Sequence, residues 1–85
     1  MRGEFDLAAV EPFERLADAA LASGCDHMVV DLSELHFIDS SGMRALLRLQ
    51  ARAGDRARLE LVPGPPAVQR VFELVGLTAA LPFRT

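Results

Sequence analysis

The residues with the clearest capacity for chemistry are four in a row, Asp39-Ser40-Ser41-Gly42. Phe37-Ile38 precedes them, and Met43, Ala45, Leu46, Leu47, Leu49 and Ala53 follow. The pattern predicts a helix that starts at this turn, with Asp39 or Ser40 as its N-cap. A helix start presents unpaired backbone N–H groups and the positive end of the dipole, so an anion such as phosphate is stabilised there. A serine hydroxyl in the first turn is accessible to phosphorylation, which adds about −1.5 to −2 charges and strong acceptor oxygens. Asp39 can cap the helix, and it can repel a phosphate on Ser40. Gly42 has no Cβ, so a partner's backbone or a nucleotide can come close. Taken alone, the four residues are also a common cap-and-turn composition, and that plainer role is the favoured one.

Other chemistries have less behind them. There is no GxSxG elbow, so a serine hydrolase would need His27 or His36 folded onto Ser40 beside Asp39. Two histidines without spaced acidic or thiol partners do not make a metal site. Cys25 has no CxxC partner and reads as a small apolar residue after a turn. No catalytic set, metal site or cofactor is expected.

The elements that must position the turn follow from apolar spacing. Met1 to Phe5 is extended and ends at Asp6. Val10, Phe13, Leu16, Ala17, Ala20 and Leu21 recur at three- and four-residue steps, the mark of an amphipathic helix. Pro12 suits a first turn, so this helix is expected to start near Val10 rather than at Asp6. Gly24 follows its end. Met28 to Leu32 reads as a buried strand. A break at Ser33 to His36 precedes Phe37-Ile38. Gly54 ends the second helix, Leu59 to Val62 forms a strand, and Pro66 opens a helix striped by Val68, Val71, Phe72 and Val75. Gly76 stops it. Leu81 to Phe83 reads as a last short strand or a packed tail. Alternating strands and helices predict an α/β sandwich with right-handed crossovers, its small sheet mixed but mainly parallel and covered by helices. In such folds function collects where strands end and helices begin, which is where Asp39 to Gly42 lies.

Composition sets the bounds. A chain of 85 residues predicts one domain, spanning residues 1–85. With 51% hydrophobic and 25% charged residues it is globular rather than disordered. A net charge of −3 gives no footprint for nucleic acid. A single cysteine excludes an intramolecular disulfide. No apolar run approaches the ~18 residues of a membrane span, and the N-terminus lacks signal-peptide anatomy. The expectation is a cytoplasmic protein with no direct membrane insertion.

The stretch from Met28 to Leu47, with Asp31-Leu32-Ser33 and Phe37-Ile38-Asp39-Ser40-Ser41-Gly42, resembles the signature of STAS domains. Gly3-Glu4-Phe5-Asp6 is similar to that family's Gly-Glu-Leu-Asp motif, and Arg70 to Leu77 resembles its C-terminal helix and Gly-Leu. Three motifs in the right order outweigh the plainer reading of the turn. The resemblance implies an anti-sigma factor antagonist in bacterial transcription control. In that family the unmodified protein binds an anti-sigma factor that is also an ATP-using serine kinase. The sigma factor is released, and phosphorylation of the first serine after the Asp ends binding. A serine phosphatase restores the active form. Carried over, Ser40 is the phosphoacceptor and Asp39 its flanking carboxylate. Ser41 and Gly42 shape the turn, Asp6 lies close in space, and Met43 and Arg44 sit on the partner-facing start of the helix.

STAS domains usually begin about twenty residues earlier. The resemblance therefore implies an N-terminally short sheet, missing one or two edge strands, or a true start upstream of Met1. An exposed edge would invite homodimerisation. Glu34 and His36 fill turn positions. Arg44, Arg48 and Arg52 form a basic stripe, read first as a solvated face and second as a contact to an acidic partner. The competing functional class is a non-phosphorylated STAS subunit of a phospholipid-transport ABC-type complex. A small-nucleotide sensor is a third.

Overall fold

A computed structural model describes residues 2–84. Its elements run β1 (Arg2–Phe5), α1 (Leu7–Ala22), β2 (His27–Asp31), β3 (Glu34–Ile38), α2 (Ser40–Ala53), β4 (Arg58–Val62) and α3 (Pro66–Leu74). β1 pairs with β3 and β2 with β4, both in parallel. Helices α1 and α2 pack on each other and on the strands, and α3 packs on β3. The α/β class with parallel strands covered by helices is therefore the observed architecture. Among the described residues the hydrogen bonding divides into two two-stranded pairs. Among the described residues β2 pairs with β4.

The core joins all the layers. Phe5, Leu32, Leu35, Leu46, Leu61, Val68 and Phe72 are its largest fully buried side chains. The second helix contributes Met43, Ala45, Leu46, Leu49 and Ala53. The first contributes Val10, Ala17 and Leu21, whereas Leu16 is 73% exposed. That leucine, with Phe13, Met28 and Val29, lines an apolar groove between α1 and β2. Leu81 to Phe83 is a packed tail with one parallel bridge, Phe83 to Leu61, and the Phe83 ring meets Phe72 edge-on at 5.0 Å.

Two readings differ from the structure by more than a one-residue shift of a boundary. Helix α1 starts at Leu7, not near Val10, and Pro12 lies inside it. Asp6 is the N-cap, its Oδ1 accepting from the Ala9 N–H at 3.3 Å. A capped start outweighs the one ladder bond that Pro12 cannot donate, and the ring sits on the exposed face. Glu34 and His36 are not turn residues; both lie in β3. The turn is tighter: Ser33 N–H donates to Asp31 Oδ1 at 2.9 Å, and Leu35 N–H to the Leu32 carbonyl at 3.1 Å. Within β3 the register jumps, Gly3 facing Leu35 and Glu4 facing Phe37. His36 is thus the extra residue of a bulge, which turns Leu35 and Ile38 into the core alike. On the opposite strand Gly3 takes φ of +81°, a conformation that glycine adopts readily.

Candidate functional site

The site grows from one strand pair. Phe5 ends β1 and Ile38 ends β3, and the two are partners in register. Each strand is followed by an aspartate, and each aspartate starts a helix. Asp6 has φ −112° and ψ −172°; Asp39 has φ −114° and ψ −176°. Asp39 ties the two ends together, donating its N–H to the Phe5 carbonyl at 3.3 Å. Two helix N-termini therefore lie side by side at one end of the fold.

Asp39, not Ser40, is the N-cap of α2. Its Oδ1 accepts from the Gly42 N–H at 3.1 Å, and its carbonyl accepts from the Met43 N–H at 3.1 Å. Ser40 is the first residue of the helix and is exposed; Ser41 is half-buried. The hydroxyl of Ser40 thus stands at the positive end of the dipole, open to solvent and to a partner.

Gly42 and Met43 take different roles from those read in the sequence. A Cβ on Gly42 would lie 2.4 Å from the Phe5 carbonyl oxygen and 3.1 Å from Ile38 Cγ1. The space is taken by the protein's own first strand, so Gly42 sets the approach of α2 to β1 rather than leaving room for a partner. Met43 is only 7% exposed and belongs to the core. Its side chain packs with Leu46 into the core and does not reach the surface on which Ser40 and Arg44 are exposed.

The basic stripe also resolves. Arg48 Nε donates to Glu14 Oε2 at 2.8 Å, and Arg52 pairs with Asp18. Both arginines bridge α2 to α1. Neither is a purely solvated residue, and sequence reasoning missed the pairing because it depends on helix register. Arg44 is exposed and, among the described residues, makes no ion pair. It lines a small cleft of about 110 Å³ with Leu7, Val10, Ser41 and Arg48. Leu7, 73% exposed on the first turn of α1, was not singled out in the sequence. Its apolar character directly after a capping aspartate, on the exposed side of the stripe, was the available signal.

Elsewhere the described residues hold no group of three or more His, Cys, Asp or Glu side chains placed to bind a metal. None of their helices is long and apolar enough to cross a membrane.

Comparison with known proteins agrees with this geometry. The fold matches an anti-sigma factor antagonist from Mycobacterium paratuberculosis at a TM-score of 0.85 and 28% identity, over 96% of this chain and 70% of that one. It also matches the anti-sigma factor antagonist SpoIIAA in its unphosphorylated form, at 0.62 and 29%, over 87% of this chain and 69% of that one. A family model described as "Mlab, STAS domain" covers residues 1–82. The Asp-Ser-Ser-Gly cap, the paired strand ends beneath it and the match along the chain agree: this protein belongs to the STAS domain family.

Proposed function

We propose that the protein is an anti-sigma factor antagonist whose binding is switched off by phosphorylation of Ser40. The observation that carries this is the exposed Ser40 at a capped helix start, in a fold shared with two such antagonists. In the unmodified state the face around Ser40 binds an anti-sigma factor that is also a serine kinase. Exposed Leu7 supplies apolar contact, and Ser40, Ser41 and Arg44 supply polar contact. The kinase transfers the γ-phosphoryl group of ATP to Ser40 Oγ; the hydroxyl proton is lost and ADP leaves. The new dianion lies beside Asp39 and across from Asp6, so an interface there suffers like-charge repulsion and desolvation. A loss of about 3 kcal/mol weakens binding roughly a hundredfold. The helix dipole tolerates the phosphate locally, so the fold need not change. A serine phosphatase reverses the modification. The protein itself does no catalysis in this scheme, and it works in the cytoplasm, where the kinase and ATP are.

Capture from extracts of the native cell tests the scheme. Unmodified protein retains a soluble ATP-binding kinase, and protein carrying phosphoserine at position 40 does not. Equal retention by both forms contradicts it.

The competing reading is a non-phosphorylated STAS subunit of a phospholipid-transport ABC-type complex, which the family match accommodates equally. Co-purification with a membrane ATPase, independent of Ser40, identifies that role.

Half-exposed Val29 in β2, beside the apolar groove that Leu16 lines, supports pairing with a second copy through an exposed sheet edge. Sedimentation equilibrium then shows self-association that Val29→Lys abolishes. A monomer at every concentration removes the idea.

A further inference from the structure

Arg44, Arg48 and Arg52 follow one another at single turns along α2. Two of the three have acidic partners on α1, Glu14 for Arg48 and Asp18 for Arg52. Each pair joins residues 34 positions apart in sequence. Because both helices begin at the same ends of paired parallel strands, this register continues back toward their starts. One turn back it sets Arg44 against Val10, and indeed the two line one cleft. Two turns back it sets Ser40 against Asp6. Val10 is buried and apolar, so α1 offers Arg44 no acceptor at that rung, and no ion pair joins Arg44 to another described residue. The third rung of the ladder is therefore empty on the α1 side.

The vacancy is four residues from Ser40. On a helix, positions i and i+4 are neighbours, and an anion placed N-terminal to a cation is the favourable order. We propose that Arg44 is the internal counter-cation for a phosphate on Ser40. The guanidinium then has two alternative anions. In the unmodified protein it is open to an acidic group on a partner. In the modified protein it is drawn onto the phosphate, where its fork geometry suits phosphate oxygens. Modification thus adds a dianion to the binding face and also withdraws the one unpaired cation beside it. This rests on the assignment of Ser40 as phosphoacceptor.

The charged groups around that hydroxyl are the capping Asp39 and Asp6, Arg44 on α2, and Arg48 held by Glu14 one turn further along. The strand ends between them, Phe5 and Ile38, are apolar. Asp39 and Asp6 raise the second pKa of a phosphate at Ser40, and Arg44 lowers it.

The test uses the full chain with phosphoserine installed at position 40 during translation, without any kinase. The second pKa is read by phosphorus NMR. Arg44→Gln raises it by a few tenths of a pH unit, the scale of an exposed helical pair. Arg44→Lys keeps part of the effect, and Arg48→Gln leaves the value unchanged. In the parent protein, phosphorylation also shifts the Nε–Hε signal of Arg44, a readout that needs no variant. Identical titrations for the parent and Arg44→Gln, together with an unmoved Arg44 signal, overturn the proposal. An equal shift from Arg48→Gln also overturns it, by showing only a general charge effect. Because the phosphate is installed directly, absence of phosphate from Ser40 in cells would remove the switch and leave this contact standing. The reverse result would remove the contact and leave the switch.

Discussion

Asp6 and Asp39 are equivalent residues in two copies of one local arrangement: each follows a strand of the same parallel pair, and each caps the helix that comes next. Their backbone angles agree within a few degrees. The two caps place the two helix dipoles side by side and fix where Ser40 lies. Removing either cap acceptor should cost about 1 kcal/mol in urea denaturation, for Asp6→Ala and Asp39→Ala alike. Asp39→Asn keeps an acceptor for the Gly42 N–H and should cost less than Asp39→Ala. If Asn and Ala are equally destabilising, the charge rather than the cap holds the turn.

Gly42 is required by the close approach of α2 to β1. A Cβ there would overlap the Phe5 carbonyl, which is backbone and cannot swing aside. Gly42→Ala should destabilise the protein by about 1–3 kcal/mol, despite alanine's better helix propensity. The same denaturation series measures it. A neutral or stabilising result would mean that the two elements lie further apart than described.

Some of this was legible in the sequence and some was not. The second helix and its cap were readable because Asp39, the serines and the stripe from Met43 to Ala53 all point the same way. The start of α1 was not, because Pro12 pulled the expected boundary three residues late while Asp6 was already a good cap. Strand β3 was hidden by the bulge at His36, which breaks the alternation that marks a strand. The partners of Arg48 and Arg52 depend on how two helices slide past each other, and no local pattern states that. The burial of Met43 follows from its stripe. The role of Gly42 depends on a carbonyl thirty-seven residues earlier in the chain.

Arg48 and Arg52 are already engaged with α1, so their loss should affect packing rather than recognition. Arg48→Gln and Arg52→Gln should each cost less than about 1 kcal/mol, with the loss diminishing as salt rises. Affinity for the partner should stay within about twofold of the parent, a difference well under 1 kcal/mol. A tenfold fall in affinity with unchanged stability would place these residues in the interface.

Acid stability should depend on Glu60. Arg84 Nε donates to its Oε2 at 2.7 Å, and Arg58 and His27 lie 3.5 Å from its Oε1. The Arg84 hydrogen bond, foremost, holds the carboxyl below its ordinary value of 4.5. A carboxyl with a lower pKa in the folded state contributes its full stability above its unfolded value, and that contribution is lost as pH falls through the folded value. Glu60→Gln should therefore lower the melting temperature at neutral pH and make little difference in strong acid. A variant that melts lower by the same margin at both pH values would assign the effect to packing.

The switch at Ser40 is tested most directly by intact-mass and phosphopeptide analysis of the protein isolated from its own cell, beside a Ser40→Ala variant. A single phosphate on the peptide containing Ser40, absent from the variant, is the predicted result. Protein that stays unmodified across growth and stress conditions, or that carries its phosphate elsewhere, would contradict it.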